Sequence, residues 1–426
     1  MAPTDTPRSL TGMHDLLPPT SRRWAALGAS FSRLFGAMGY EQVATPVLET
    51  LSVFERVGEG TDVVTKEMYE FTDRDGTVVA LRPESTAGVA RAFLQHHPTT
   101  PWKVWYSSSH FRHEKAQKGR TRQHHQLGVE CFGVSDPDLD VEVIVGLWDL
   151  LVSLGLRRIR LLVNDIGTAA QRGAFVAALR SSLEPLAARL DEEDRPKLAG
   201  NTLRIFDSKR PATRATLDAV ALPRLAEFID DDGHARFARV RAGLDAAGVP
   251  HEVAPGLVRG LDYYNGTVFE IVSDAIDAAQ STLGGGGRYD GLIESLGGPP
   301  TAGFGFGAGI ERILLACDAE GVFPVPSASL DAFVVAFGAT DEHLDAVRDI
   351  ALELRRGGCR VERSYGGRSG RAQMKAADRS GARYALLIGD DELAGGTVTV
   401  RSLQSDEPQR SVPRNQLIDD PRTFLP

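Results

Sequence analysis

A change of pattern between residues 168 and 250 constrains the fold of this chain more than any other feature. The segments on either side contain short runs of β-branched and aromatic residues, whereas AAQRGAFVAALRSSLEPLAARLDEEDRPKLAG carries Ala, Leu, Arg and Asp at helical spacing. We therefore expect a mostly helical insertion between two strand-rich halves. The Pro- and Ser-containing segment GVFPVPSAS predicts a second boundary. The expected segments are a core in two parts (1–167 and 251–325), the insertion (168–250) and a last domain (326–426).

Local patterns predict individual elements on both sides of the insertion. Residues 20–39 predict an amphipathic helix, and YEQVATPVLE predicts a strand in which Pro46 marks an edge or a bulge. PESTAGVARAFLQ predicts a helix with the acidic Glu84 in its first turn. After residue 330, strand and helix patterns alternate, which predicts a small α/β domain of about 100 residues.

Composition and missing motifs exclude several classes of protein. The chain has 426 residues and a net charge of −9, so any nucleic-acid contact must come from local basic patches. No apolar run approaches ~18 residues and the N-terminus lacks an apolar h-region, so neither a membrane span nor a secretory signal is expected. The cysteines Cys131, Cys317 and Cys359 form no CxxC pair, which favours a reducing cytoplasm. GxxxxGK[ST], HExxH and GxSxG motifs are absent, and no metal site is expected.

The segment FRHEKAQKGRTRQHHQLGVE, residues 111–130, concentrates positive charge in a loop between two predicted strands. Between Arg112 and Gln126, Glu114 is the one acid, and Gly119 lies at the tip of the loop. The basic residues are Arg112, Lys115, Lys118, Arg120 and Arg122. Such a loop is either a solvated hairpin turn or a mobile clamp on the phosphates of a nucleotide or a nucleic-acid backbone.

Two glycine-rich segments, TLGGGGRYDGL and AGFGFGAGIERIL, are each followed by an arginine, Arg288 and Arg312. One interpretation is tight turns between strands. The other is anion binding, because glycines let backbone N–H groups approach an anion while the arginine supplies the counter-charge.

These motifs together resemble those of a known family. FRHEKAQKGR…HQLGVE resembles the second signature of class II aminoacyl-tRNA synthetases, and AGFGFGAGIERIL resembles the third. LRPESTAGVARA, LVRGLDYYNGTVFE and GGGGRYDGL together resemble histidyl-tRNA synthetases, and the likeness runs from about Gly12 to the C-terminus. The chain departs from the family pattern at Ser85, where the family usually has Gly, and at Gly284–Gly287, where many members have Ala or another small residue.

The resemblance implies an α/β class II synthetase fold. Its parts are an antiparallel six-stranded sheet flanked by helices, a helical insertion that contacts the tRNA acceptor arm, and a C-terminal α/β anticodon-binding domain. The strand from Tyr40 and the helix before it match the first signature, which builds a homodimer. The implied activity joins L-histidine and ATP into histidyl-adenylate and pyrophosphate, then transfers histidine to the 3′ end of histidine tRNA. This chemistry is expected in the cytoplasm, with Mg²⁺ accompanying ATP and no protein ligand of the metal identified.

The resemblance also implies roles for individual residues. For ATP they are Arg112 at the α-phosphate, Glu114 near adenine, and Arg120 and Arg312 around the β- and γ-phosphates. For histidine they are Glu84, Thr86 and Gln126 at the α-amino group, Glu130 and Tyr264 at the imidazole nitrogens, and Tyr263 and Tyr289 in the same pocket. Arg259 and Arg112 are the implied catalytic cations. The alternative roles are a structural ion pair for Glu130 and a surface salt bridge for Arg259.

The implied tRNA contacts are Gln117, Arg122, Arg368 and Arg371. In segment 368–379 the spacing predicts one basic helix face, which either is solvated or touches the anticodon stem-loop. Two rival functions remain, a regulatory paralogue that binds histidine and activates an ATP phosphoribosyltransferase, and a non-catalytic sensor of uncharged tRNA. Both are expected to lose the signature arginines, whereas Arg112, Arg259 and Arg312 are present here.

Overall fold

The computed structural model describes residues 6–58, 66–115, 119–200, 202–206, 208–257, 263–277, 281–326 and 330–425. The chain divides into two units, Met1–Val325 and Pro326–Pro426. No helix in the described part of the chain combines the length and the apolar character needed to cross a membrane.

The first unit contains, in chain order, α1 (Thr20–Ala37), β1 (Glu41–Gln42), β2 (Leu48–Thr50), α2 (Leu51–Gly58), β3 (Tyr69–Thr72), β4 (Val78–Leu81), α3 (Thr86–His96), β5 (Trp102–Phe111), β6 (Gln123–Phe132), α4 (Pro137–Ser153), β7 (Ile159–Asp165), α5 (Ala169–Leu183), α6 (Arg195–Ala199), α7 (Pro211–Asp218), α8 (Asp231–Ala246), β8 (His251–Val253), β9 (Asn265–Ser273), β10 (Thr282–Arg288), α9 (Leu292–Ser295), β11 (Gly303–Gly309) and α10 (Ile310–Glu320). The second unit contains β12 (Ala332–Ala336), α11 (Asp341–Arg356), β13 (Val361–Arg363), α12 (Gly370–Ser380), β14 (Tyr384–Ile388), α13 (Asp390–Gly395), β15 (Thr397–Ser402), β16 (Arg410–Pro413), α14 (Arg414–Asp419) and α15 (Pro421–Phe424).

The main sheet of the first unit has eight described strands in the order β1-β5-β6-β11-β10-β9-β7-β8. The six strands from β5 to β7 in this order pair antiparallel, as expected from the resemblance. The expectation of an all-antiparallel six-stranded sheet is nevertheless wrong, because the short edge strands β1 and β8 pair parallel to β5 and β7. A parallel neighbour needs a long crossover, and the helices α5 to α8 connect β7 to β8.

The segment YEQVATPVLE does not form one strand. It forms β1 in the main sheet and β2 in a separate three-stranded sheet, β2-β4-β3. The backbone between β1 and β2 lies against the guanidinium of Arg82. This group donates to the carbonyl oxygens of Thr45 and Pro46 at 2.9 and 3.4 Å. Pro46 also lacks the N–H that a continuous strand would use, so the segment divides there.

Helices α1 and α4 cover one face of the main sheet. Phe31 and Phe35 of α1, together with Leu147 of α4, share a buried core with Phe304 and Phe306 of β11. The opposite face carries α3, α9 and a second buried cluster that includes tyrosine side chains. Tyr264 and Tyr289, which the resemblance implies for the histidine pocket, belong to this second cluster.

The described residues between 169 and 246 are mostly helical, with a small core of their own that includes Phe175, Leu179 and Leu217. Val240 and Leu244 of α8 belong instead to the core beneath the main sheet, so this helix joins the helical segment to the sheet.

The second unit is an α/β domain with a five-stranded sheet in the order β13-β12-β14-β15-β16. The first three strands are parallel, and β15 and β16 add an antiparallel edge. Helix α11 packs on one face and α12 on the other, in separate buried clusters. The strand and helix alternation after residue 330 agrees with the pattern read from the sequence.

Candidate active site

The carboxyl group of Glu130 on β6 is the centre of a polar pocket. It is fully buried, and Thr86 Oγ1 and the Tyr106 hydroxyl donate to its Oε1 at 2.6 and 3.2 Å. The hydroxyl of Tyr289 donates to its Oε2. In the described part of the chain, hydroxyl groups rather than an arginine therefore satisfy Glu130.

Alternate glycines of β11 make room for this pocket. They are Gly303, Gly305 and Gly307. A Cβ atom on Gly305 would lie 2.1 Å from Oε2 of Glu130, and one on Gly303 would lie 2.3 Å from the ring of Tyr289. A Cβ atom on Gly307 would lie 2.9 Å from the side-chain oxygen of Gln126. Only glycine leaves space for three polar side chains to lie across the strand, because any Cβ would occupy their positions.

Burial is the main cause that raises the pKa of Glu130, to about 8, although the hydrogen bonds from Thr86 and Tyr289 lower it. A pKa raised in this way favours the neutral carboxylic acid near pH 7. A buried carboxyl group with a strongly shifted pKa is a candidate functional group.

Three tyrosine rings line the same region. The ring centroids of Tyr263 and Tyr264 are 4.7 Å apart, and both lie about 6 Å from Tyr289, at 5.9 and 6.2 Å. Tyr264 and Tyr289 are buried, and Tyr263 is half-buried. The structure thus brings together the implied histidine-pocket residues Glu130, Thr86, Tyr263, Tyr264 and Tyr289.

Glu84 precedes α3 rather than lying in its first turn, because the helix begins at Thr86. Its two carboxylate oxygens accept from the backbone N–H groups of Thr86 and Ala87 at 2.6 and 2.9 Å. These N–H groups have no partner inside the helix, so Glu84 satisfies the helix N-terminus. Burial raises the pKa of Glu84, while its hydrogen bonds and the charge of Arg112 lower it.

Three arginines form a cationic cluster beside the pocket. Burial lowers the pKa of Arg312, and the charges of Arg120 and Arg112 lower it further. Burial, followed by the charge of Arg112, lowers the pKa of His124 to about 3. Arg312 also donates to the carbonyl oxygens of Gly119 and Thr282 at 3.3 and 3.2 Å, which fixes its place on the sheet. Like charges held this close favour binding of a polyanion.

The basic loop contributes two of these arginines. Arg112 Nε donates to the carbonyl oxygen of Pro83 at 3.0 Å, and the exposed Arg120 pairs with Glu114. Arg122 Nε donates to the carbonyl oxygen of Glu114 at 3.2 Å, so this side chain is turned inward onto the loop. Gln117, implied to face the tRNA end, lies outside the described residues, as does the implied catalytic Arg259.

The proposed anion site at Arg288 is wrong. Arg288 is 3% exposed and donates to Asp140, to Asp290 at 3.1 Å, and to the carbonyl oxygen of Val134 at 3.2 Å. The two carboxylates neutralise the charge of Arg288, and its guanidinium N–H groups donate to acceptors within the protein. Both glycine-rich segments are largely strands, β10 and β11, rather than loops.

The basic helix face predicted in segment 368–379 contains one residue fewer in the structure. Helix α12 begins at Gly370 after the cap Ser369, so Arg368 precedes the helix. Arg371, Lys375 and Arg379 lie on the helix and are exposed.

Sequence reasoning missed three polar residues near the site, the buried Tyr106 and His110 and the half-buried Ser108. They lie at alternate positions of β5, opposite Gly128, Gln126 and His124 of β6, so they share a sheet face with Glu130. The signal was available, because residues that alternate on a strand beside QLGVE must face the same side once the two strands pair.

A mixed, mainly antiparallel sheet that carries an arginine cluster beside a buried polar pocket, with a separate α/β unit, is typical of a class II aminoacyl-tRNA synthetase. Residues 12–313 match the family described as histidyl-tRNA synthetase, and residues 331–420 match the anticodon binding domain. The histidine–tRNA ligase of Halorhodospira halophila is 43% identical, over 98% of this chain and 97% of that protein.

Solved structures agree with this assignment. The apo histidyl-tRNA synthetase of S. aureus superposes with a TM-score of 0.81 at 32% identity and covers 97% of this chain and 99% of its own. The histidyl-tRNA synthetase of Nostoc sp. PCC 7120 shares the fold, with a TM-score of 0.70 at 20% identity over 100% of both chains. The chain belongs to the histidyl-tRNA synthetase family.

Because the backbone of Gly305 lies close to Glu130, adding a single methyl group at this position should destabilise the fold. Gly305→Ala places a Cβ atom 2.1 Å from Glu130 Oε2 and 2.3 Å from the carbonyl oxygen of Val129. We expect a loss of about 1–3 kcal/mol in the free energy of unfolding, measured by urea denaturation. Gly309→Ala on the same strand is the control, since its Cβ would meet Arg312 at an ordinary 3.8 Å, and it should change stability by at most about 0.5 kcal/mol. Equal effects of the two substitutions would contradict this account.

The raised pKa of Glu130 predicts a pH-dependent difference in stability. Between about 4.5, the ordinary value, and about 8, the folded chain retains a proton that the unfolded chain has lost. The wild-type stability contributed by this group therefore falls as pH rises through that window, by at most about 1.4 kcal/mol per pH unit. Glu130→Gln does not titrate, so its stability relative to wild type should increase from pH 4.5 to pH 8, measured by thermal or urea unfolding. A difference that is constant over this range would count against the buried neutral acid.

Proposed function

We propose that this chain is an ATP-dependent ligase that activates L-histidine as histidyl-adenylate, releases pyrophosphate, and transfers histidine to the 3′ end of histidine tRNA. The observation that carries this function is the juxtaposition of the Glu130 pocket with the cluster of Arg112, Arg120 and Arg312. One part suits a small polar side chain, and the other suits a triphosphate.

The histidine side of the site consists of Glu84, Thr86, Gln126, Glu130, Arg259, Tyr263, Tyr264 and Tyr289. Histidine differs from other amino acids of its size in having two ring nitrogens on opposite edges. Glu130 on one edge and the Tyr264 hydroxyl on the other would read both nitrogens. Glu84 would hold the α-amino group, since a carboxylate has lone pairs beyond those used by Thr86 and Ala87. A wrong amino acid would leave these buried groups unpaired, at ~1–3 kcal/mol each.

The ATP side consists of Arg112, Glu114, Arg120 and Arg312. The reaction joins the histidine carboxylate to the α-phosphate, so two anions must meet and the leaving pyrophosphate gains charge. Fixed arginines stabilise that charge and orient the phosphates, and no proton shuttle is needed. Arg112 also contacts Pro83, which precedes the histidine-side Glu84, so both substrates meet on one short stretch of backbone.

Mg²⁺ with ATP is part of this proposal and would neutralise the β- and γ-phosphates. Such an ion takes most of its ligands from phosphates and water, with one or two carboxylates from the protein. Glu270 is suitable, because its carboxylate accepts from Thr282 at 3.3 Å and lies near Arg312.

Transfer to tRNA would use Gln117 and Arg122 near the active site, and Arg368 and Arg371 in the second unit. Two further side chains of that unit support an RNA surface. Phe337 and Tyr365 are 54% and 60% exposed, and both follow parallel strands, β12 and β13. The Arg363 guanidinium lies 4.3 Å from the Tyr365 ring centroid. Exposed aromatic rings beside cations bind unpaired bases by stacking.

A homodimer in the cytoplasm completes the proposal. In the three-stranded sheet β2-β4-β3, Leu48 and Phe71 share one face and are 44% and 47% exposed. Exposed apolar side chains on one sheet face favour association with another protein surface. A regulatory paralogue would need neither the arginine cluster nor the anticodon-binding unit, so the presence of both argues against it. The arginine cluster alone argues against a non-catalytic sensor of uncharged tRNA.

Pyrophosphate exchange tests both the function and the two halves of the site. Wild-type protein should exchange pyrophosphate into ATP when histidine is present and not with other amino acids. Glu130→Ala should raise KM for histidine at least about tenfold, because the hydroxyls that bind Glu130 lose their acceptor, and should leave KM for ATP nearly unchanged. Arg312→Ala should do the reverse.

Arg160→Ala is the matched control, because Arg160 is an exposed residue paired with Asp274 on the surface. It should leave both KM values unchanged. An ATP defect in Glu130→Ala with intact histidine affinity would refute this assignment of the pocket.

Aminoacylation of histidine tRNA tests the second unit. A chain ending at Val325 should retain pyrophosphate exchange and charge tRNA poorly. In the full chain, Tyr365→Ala should raise KM for tRNA about tenfold, since one stacked base contributes ~1–3 kcal/mol, without changing KM for histidine. Leu352→Ala is the control, because Leu352 is a 40% exposed apolar residue of the same unit. Full charging by a folded, truncated chain would contradict the role given to this unit.

A further inference from the structure

Two buried polar side chains, Ser85 and His110, and the half-buried Ser108 form a cluster beneath the segment that enters α3. This entry loop comprises residues 83–86. Ser85 is 2% exposed, and its Oγ lies 2.7 Å from Nε2 of His110 and 2.9 Å from Oγ of Ser108. Ser108 Oγ lies 3.4 Å from the same ring nitrogen. The hydroxyl of Ser85 thus bridges the entry loop to two alternate positions of β5.

The imidazole of His110 depends on this contact. The ring is fully buried, and its Nδ1 has no hydrogen-bond partner among the residues that the structure describes. Burial lowers the pKa of His110, as do the neighbouring charges of His124, Arg82, Arg112 and His125, so the ring is neutral. Nε2 is consequently the nitrogen through which the buried ring is satisfied, whichever tautomer it adopts.

The entry loop carries residues of both halves of the active site. Arg112 Nε holds the carbonyl oxygen of Pro83 at 3.0 Å. Two positions later, Ser85 contacts Ser108 and His110. Its neighbours in the chain are Glu84 and Thr86. Thr86 Oγ1 donates to Glu130 at 2.6 Å. A shift of Ser85 would move both neighbours, because they share its peptide planes.

We propose that Ser85, Ser108 and His110 are a positioning network for the histidine pocket. Their hydrogen bonds attach the entry loop to β5 so that Glu84 and Thr86 keep the geometry that binds substrate. The proposal rests on the function proposed above. It also gives a role to Ser85, a position at which the family usually has Gly. None of the three residues needs to touch the substrate.

Kinetics of histidine-dependent pyrophosphate exchange test the network. Ser85→Ala and His110→Leu should each raise KM for histidine about tenfold, equivalent to about 1.4 kcal/mol, with KM for ATP and kcat within twofold of wild type. His110→Gln, which keeps a polar group near the position of Nε2, should restore most of the affinity. The double substitution Ser85→Ala/His110→Leu should be no worse than the poorer single variant, because the residues act as one unit.

Ser107→Ala is the matched control. Ser107 is an exposed serine of β5 that points to the opposite face, and its loss should change neither KM. Thermal unfolding of every variant separates a loss of fold from a loss of affinity, and Ser85→Ala keeps the test valid where His110→Leu does not fold.

Two results would overturn the network while leaving the proposed function intact. In the first, the wild type shows histidine-dependent exchange, but Ser85→Ala and His110→Leu both keep a KM for histidine within twofold of the wild-type value. The other is an equal rise of both KM values, which would indicate a general structural role. Absence of histidine-dependent exchange in the wild type would instead overturn the proposed function, and the network would fail with it.

Discussion

The close approach of the Glu130 carboxyl group to the backbone of β11 is the contact on which the site depends. It is possible because Gly305 has no side chain, while the neighbouring Phe304 and Phe306 point into the core on the other face. One strand therefore builds the hydrophobic core with one set of residues and leaves space for a polar pocket with the other. The buried carboxyl group is stabilised by hydroxyl donors from Thr86, Tyr106 and Tyr289, so the pocket is organised before any ligand enters.

The amino-acid and nucleotide halves of the site are coupled through one short segment of chain. Residues 83–86 contact Arg112 at one end and Glu130 at the other. Since the proposed reaction brings two anions together, its rate depends on orientation and on charges that are already in place. Rigid attachment of this segment to β5 supplies that orientation, and the arginine cluster supplies the charge.

Much of the architecture could be predicted from local patterns. The predicted helix at 20–39 is α1, and the helical character of residues 168–250 and the alternation after residue 330 are both observed. Predictions were wrong where a distant partner decides the outcome. YEQVATPVLE divides because Arg82 binds its carbonyl groups, and Arg288 is an internal ion pair because Asp140 lies beside it. Neither partner is a neighbour in the sequence.

Motifs in the sequence determined the family, the types of residue in the site and the order of the segments, because these follow from residue identity and spacing along the chain. The tertiary structure decided which of those residues meet. Strand pairing brought Tyr106, Ser108 and His110 to the face that holds Glu130, and it turned a glycine-rich segment into the floor of a pocket. The physical reason is that register and face are properties of paired strands, so they become defined only when segments far apart in the chain pack together.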